Sequence, residues 1–256
     1  MHLQTTTDRA AHAWRGAMAL AARYAVAGRT LEGAHDTTLY VTGAPAAALN
    51  AVVSTATEPD VAEVERLVAA QDWTGTPWSI VVRGTPGDEL AAVARRHGLV
   101  HGHRMDFQLI DLSAPADVPP APPGLVVRTV DGTEATQYAE LVAAGFGTTP
   151  EVFTPVATAA ALDSPQVTVH VAEERGGPCG TAKTVVVDGC AVLVNVATLP
   201  THRGRGVGRA VTVAALQHAA SAGARVACLH PSPEGAALYA SLGAVTAESW
   251  TFLRSR

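Results

Sequence analysis

The sequence predicts an α/β protein made of two similar halves. Three observations carry that expectation. Beyond residue 124 the chain alternates strand and helix signals. One of those strands feeds a loop of alternating glycine and arginine that opens a helix, Asn195-Val-Ala-Thr-Leu-Pro-Thr-His-Arg203-Gly-Arg-Gly206-Val-Gly208-Arg-Ala-Val211. Landmarks of the first half also recur in the second at a spacing of 145 residues, from Asn50 to Asn195, Val81 to Val226, Pro86 to Pro231, Gly98 to Gly243, Val100 to Val245 and Phe107 to Phe252. A repeat of that length spans a strand-helix-strand segment and points to an internal duplication.

Composition narrows the function classes. With 256 residues there is ample material for a core, and 48% hydrophobic against 16% charged residues is the balance of a globular chain. A net charge of −5 argues against non-specific nucleic-acid binding. The polar start lacks a signal-peptide core. Since no window holds about 18 continuous apolar residues, no membrane span is expected. The uncharged run over residues 37–57 is interrupted by Gly43, Pro45 and Asn50. Three cysteines without C-x-x-C spacing favour a reducing, cytoplasmic setting.

In chain order, the alanine-rich residues 10–27, with Trp14, Met18 and Leu20, form a helix whose packing needs no membrane role. Residues 117–124, with four prolines in five positions, form a stiff linker between a first domain (1–116) and a second (125–256). Residues 125–130 are a strand. Residues 133–146 and 150–162 are helices joined by a connection that carries Phe146 and Phe153. Strands follow at 167–172 and 181–187, turning at Gly176-Gly177, and Asp188-Gly189 marks a hairpin into a strand at 191–198. The helix after the loop carries Val207, Val211, Ala214, Ala215 and His218 on one face, and ends at Gly223. Residues 226–229 are a short buried strand. Ser232-Pro233-Glu234 reads as a helix start that runs to Gly243, and 250–253 is the last strand.

The loop chemistry suits a phosphate. Glycines let backbone N–H groups converge, the helix start adds partial positive charge, and Arg203, Arg205 and Arg209 add full charges. A Walker loop is excluded because no lysine follows the glycines, and a dinucleotide fingerprint because Arg209 stands at its last glycine position. What does fit is Arg-x-x-Gly-x-Gly at Arg203, Gly206 and Gly208, which resembles the acetyl-CoA signature of the GNAT (Gcn5-related) N-acetyltransferases. Ser232-Pro-Glu-Gly235-Ala-Ala-Leu-Tyr239-Ala-Ser-Leu-Gly243 is similar to a second motif of that family, with Ala244 where the family has phenylalanine. The element order over residues 124–256 also resembles the family's domain.

The resemblance implies a fold and a site. The fold would be two tandem GNAT-like domains, each a mixed central sheet flanked by helices. The 145-residue shift sets Glu58 to Val61 opposite the glycine-arginine loop and Ala94 opposite Tyr239, so the first copy is read as degenerate and non-catalytic. By resemblance, Val196, Ala197 and Thr198 line the pantetheine arm of acetyl-CoA. Arg203, Gly204, Arg205, Gly206, Val207, Gly208 and Arg209 hold its diphosphate, and Ser232 contacts the arm. Tyr239 donates a proton to the departing thiolate, a role suited to a phenol with a pKa of ~10. Read without the resemblance, the same residues are a strand-turn-helix with solvated arginines, a helix cap and a core tyrosine.

The activity implied is acetyl transfer by direct attack of a primary amine. The acceptor would be a small molecule, with Phe146, Phe153 and Asn195 as candidate acceptor contacts. A protein amine as acceptor and a non-catalytic acyl-CoA-binding module are the alternatives. The base is open: Glu173, Glu174 and His170 lie near the expected acceptor side, and a water chain would also serve. His101-Gly-His103 lacks the acids or cysteines of a metal set, so no metal is expected and both histidines are placed in a loop. Neither nucleic acid nor membrane is expected as a partner; a homodimer is compatible with the sequence.

Overall fold

Both halves contribute to one sheet of eleven strands in a computed structural model that describes residues 3–113 and 121–255. Residues 117–120 of the proline-rich linker therefore lie outside the described residues. The first half runs α1 (Leu3–Tyr24), β1 (Arg29–Glu32), β2 (Thr37–Val41), β3 (Asn50–Ser54), α2 (Val61–Ala69), β4 (Ser79–Arg83), α3 (Asp88–Arg96) and β5 (His101–Asp111). The second runs β6 (Val126–Val130), α4 (Ala135–Phe146), α5 (Ala159–Leu162), β7 (Val167–Glu174), β8 (Gly177–Val187), β9 (Cys190–Thr198), α6 (Val207–Ser221), β10 (Val226–Leu229), α7 (Ala236–Ala240) and β11 (Val245–Arg254).

The strand order is β1-β2-β3-β4-β11-β5-β10-β9-β8-β7-β6. The α/β class and the mixed sheet flanked by helices match the expectation. The halves repeat each other: β3 pairs β4 in parallel as β9 pairs β10, and each pair is preceded by antiparallel strands. Their last strands are exchanged. β11 lies antiparallel on β4 of the first half, β5 lies antiparallel on β10 of the second, and the two pair with each other at the centre. Neither half holds a complete sheet alone.

The ungapped spacing of 145 does not survive in the register. Val53 faces Val81, but Val226 faces Cys190 and not Thr198, so the parallel pair has slipped by eight residues between the halves. Asn50 and Asn195 accordingly do different work. Asn50 is buried at the start of β3, where its side chain accepts from Thr42 N–H and Gly43 N–H and donates to three carbonyls, closing the β2–β3 connection.

Alternation along each strand sorts the helices into two layers. Val53, Val81, Val192 and Cys228 pack under α1 with Trp14, Ala17 and Leu20, and Val169 and Val171 pack under α4 and α5. On the opposite face Val52, Ile80 and Val82 meet α2 and α3, while Ala172, Leu193 and Leu229 meet α6 and α7. Strands β2, β3 and β4 are buried at every position, as strands covered on both faces must be. Asp188 (φ 48°) and Gly189 (φ 72°) form the tight β8–β9 turn read from the sequence.

Three expected elements differ. Residues 150–162 are not one helix: a 3-10 turn at Pro150–Val152 is followed by α5, which starts only where Thr158 Oγ1 caps Ala161 N–H. Pro155 between them supplies no N–H to continue a helix. The helix expected from Ser232 starts at Ala236, because Ser232 Oγ and its carbonyl both accept from Gly235 N–H and hold residues 232–235 in a turn. His101 and His103 lie in β5, paired with Arg254 and Phe252, and not in a loop.

Candidate active site

The site is built where β9 and β10 part. Only Cys190, Ala191 and Val192 of β9 pair with Val226, Ala227 and Cys228 of β10. Strand β10 then ends at Leu229, while β9 continues to Thr198 with its outer edge unpaired among the described residues. On its other side β9 remains paired with β8, with one shift of register between Thr181 and Lys183. The shift is a bulge at Asn195, whose φ of 54° is one that asparagine tolerates better than most residues. Asn195 Nδ2 donates to the buried Tyr138 hydroxyl at 2.8 Å, so α4 holds the bulge in place. Burial in turn raises the Tyr138 pKa well above that of a free phenol.

Close glycine contacts bring two helices onto the free end of β9. A Cβ on Gly145 of α4 would sit 2.7 Å from Ala197 Cβ, and one on Gly180 of β8 would sit 2.6 Å from Val207 Cγ1 of α6. A Cβ on Gly208 would lie 3.2 Å from Thr198 Oγ1. Gly145 and Gly180 escape the sequence reading because neither belongs to a glycine-rich run; only the packing shows what they do.

The loop after β9 has the expected chemistry. Residues Pro200–His202 form a 3-10 turn, Gly204 and Gly206 take φ of 72° and 82°, and α6 begins at Val207. Ala210 N–H makes the first helical bond, to Gly206 O at 3.0 Å. The N–H groups of Val207, Gly208 and Arg209 precede it and point out of the helix start, a ready anion site. The three arginines divide their work. Arg203 donates from Nη2 to Gly145 O (2.8 Å) and from Nε to Thr198 O (3.3 Å), latching the loop to α4 and β9. Arg209 donates to Ser241 Oγ, while the half-exposed Arg205 grips both oxygens of Glu174 at 2.9 and 2.7 Å. At the described end of the linker, Pro122 packs against Gly206.

Tyr239 is on the α6 side of the sheet, its ring buried against Gly235 and the α6 core. Burial pushes its pKa up to about 12, and among the described residues its hydroxyl has no hydrogen-bond partner. Phe146 and Phe153 stack at 5.8 Å, with Phe153 buried and Phe146 half exposed beside the Arg203 latch. The three candidate bases are drawn elsewhere. Glu173 is bound by Arg128, which also grips Glu134, and Glu174 is bound by Arg205 at the phosphate loop. His170 lies beneath α6, its ring 5.4 Å from that of His218, and burial lowers its pKa to about 4. No cluster suited to a metal ion occurs among the described residues.

The family described as Acetyltransferase (GNAT) domain matches residues 165–243, from the start of β7 through α7. Residues 165–243 are thus similar to the domain of the GNAT acyltransferases. The matched segment holds the β9 bulge, the glycine-arginine loop and Tyr239, which are the parts just described. Among solved structures, the chain is similar to a GCN5-related N-acetyltransferase from Kribbella flavida, at 22% identity and a TM-score of 0.70, covering 97% of this chain and 95% of that one. A GCN5-related N-acetyltransferase from Sphaerobacter thermophilus matches at 19% identity and 0.58, over 88% and 82% of the two chains. A functionally unknown conserved protein from Staphylococcus epidermidis matches at 15% and 0.59, over 90% and 94%. These likenesses extend the GNAT fold across both halves. No curated protein matches the chain.

Proposed function

We propose that the protein moves an acetyl group from acetyl-CoA to the primary amine of a small molecule, in the cytoplasm, and that the second half carries the chemistry. The observation that carries this reading is a β9 edge left free of β10 that runs into a positive helix start at Gly206, with Tyr239 of α7 packed in the same core cluster as α6.

The residues fit acetyl-CoA. Open space beyond the Cα of Gly204 and the free N–H groups of α6 suit a diphosphate, and Arg205 has a charge that can be shared between Glu174 and the ligand. The free edge of Val196, Ala197 and Thr198 offers backbone groups to an amide-bearing arm, as a missing strand would. When bound there, acetyl-CoA would supply the activated acyl group. A backbone N–H at the bulge would polarise its carbonyl, and Tyr239 would hand its phenolic proton to the departing sulfur. Ser232, in the turn before α7, would contact the arm.

Support for a small acceptor comes from the opposite face. Helix α1 of the first half packs over β8, β9 and β10, and its C-terminal end is tied to the α5 region by Thr158 Oγ1 to Tyr24 O (2.9 Å) and Val26 N–H to Pro155 O (3.1 Å). A face roofed by α1, α4 and α5 suits a small molecule better than a folded protein. The first half would then be a degenerate copy that kept its fold and now supplies that roof.

Calorimetry with acetyl-CoA tests the reading. The wild type is expected to bind, while Gly206→Glu, with a carboxylate in the anion site, loses about 100-fold or more in affinity, on the scale of a buried like-charge contact. Binding unchanged by Gly206→Glu and by Arg205→Glu would place the cofactor elsewhere.

A further inference from the structure

Two buried groups on the acceptor face are unaccounted for by acetyl transfer to a plain amine. Lys183, at the middle of β8, is 7% exposed, and no hydrogen bond or ion pair meets its ammonium among the described residues. Burial alone lowers its pKa to about 8, with no charged neighbour contributing. Lys183 faces Val169 of β7 and Val194 of β9, and both pack on the side of α1, α4 and α5. It is thus one strand from the Asn195 bulge and on the same face as Tyr138.

His230 is the second group. The register Val192–Cys228 sets His230 level with Val194, across the gap that opens after Leu229. Its ring lies among Trp14, Phe107, Trp250 and Phe252, at centroid distances of 5.1 to 5.4 Å. Nδ1 is 2.9 Å from Asp106 O and must be the donor there, which leaves Nε2 as a lone-pair acceptor. That atom is buried without a partner among the described residues. Lys183, Val194 and His230 therefore form one transverse row that straddles the parting of the strands, with a spare donor at one end and a spare acceptor at the other.

We propose that the acceptor is an amine that also bears a carboxylate, the amino-acid class, with the carboxylate paired to Lys183 and the amine N–H directed to His230 Nε2. Lys183 and His230 flank β9, two strand spacings or about 10 Å apart at the backbone, a span that the long Lys183 side chain and a small zwitterion bridge together. A buried ammonium is stable only when paired, and the described residues offer it no anion. A buried imidazole nitrogen with no donor makes the matching demand for an N–H. This assignment rests on the transferase reading above and adds the chemical class of the second substrate.

The test measures thiol release from acetyl-CoA with L-amino acids and their decarboxylated counterparts: L-phenylalanine with phenethylamine, L-arginine with agmatine, L-lysine with cadaverine. The best amino acid is expected to exceed its partner by about 50-fold or more in kcat/KM, the scale of one desolvated charge pair. Lys183→Met should abolish that preference by raising the amino acid's KM, leave the decarboxylated amine's KM unchanged, and keep the wild-type acetyl-CoA affinity. Equal turnover of both members of each pair overturns the assignment, as does a Lys183→Met variant that slows both members alike. So does acetyl-CoA binding with no transfer to any amino acid. A wild type that fails to bind acetyl-CoA overturns the transferase reading, and this one falls with it.

Discussion

At the scale of single residues, the side chains that matter are those whose surroundings leave something unsatisfied. Tyr239 keeps its proton because burial pushes its pKa up to about 12, so it can act as an acid at any physiological pH. Tyr239→Phe retains the packing against Gly235 and removes only the proton. It is expected to lower kcat about 100-fold with little change in acetyl-CoA affinity, and an unchanged kcat would remove Tyr239 from the mechanism. The buried histidines set a different observable. In the folded state the pKa values of His170 and His230 are both about 4, below the ordinary ~6.5. Between those values the unfolded chain binds more protons than the folded one. Stability must therefore fall as pH drops from about 6.5 towards 4, by up to about 3 kcal/mol for each histidine. Urea denaturation at pH 7 and pH 5 would show this, and His170→Phe should flatten the slope; identical stability at the two pH values would contradict it.

At the scale of elements, the parting of β9 and β10 follows from where each strand can still pair. The Asn195 bulge shifts β9 against β8 and lets Val194 and Asn195 both serve the α1 and α4 face. Beyond the bulge Ala197 meets Gly145 of α4, while Thr198 meets Gly208 of α6. Two helices thus clamp the free end from opposite faces, and Arg203 closes the clamp by bonding to carbonyls of both α4 and β9. Arg203, expected at the phosphate, bonds to these two carbonyls, while the more exposed Arg205 pairs with Glu174. The glycine-arginine loop itself was legible because its pattern is local. The latch was not, since Gly145 and Arg203 are 58 residues apart.

At the scale of the whole molecule, strand exchange binds the halves together. β5 fills the place beside β10, and β11 fills the place beside β4. The buried Arg83 of β4 adds a bidentate pair with Glu248 of β11 and a bond to Asp8 of α1, so charge as well as hydrogen bonding crosses the boundary. Residues 121–256 expressed alone would expose the edge of β10 that β5 covers and leave β11 without β4 and β5, an aggregation-prone arrangement. We expect that fragment to be insoluble or to lack a cooperative melt, and co-expression with residues 1–120 to recover a soluble complex. A soluble, cooperatively melting fragment would show the exchange to be dispensable.

By itself the sequence determined the parts whose physics is local. The Asp188-Gly189 turn needs only two residues that accept positive φ, the anion site needs only glycines at a helix start, and the strands declare themselves by apolar runs. The α/β class and the strand-loop-helix at Gly206 followed from those. Tertiary structure decided the rest, because it depends on which distant segments meet. It moved Glu173 and Glu174 from candidate bases into ion pairs, and it broke the helix expected at 150–162 around Pro155. It also brought Lys183 and His230 into one row, although 47 positions of sequence separate them. No periodicity records that meeting; strand register alone creates it.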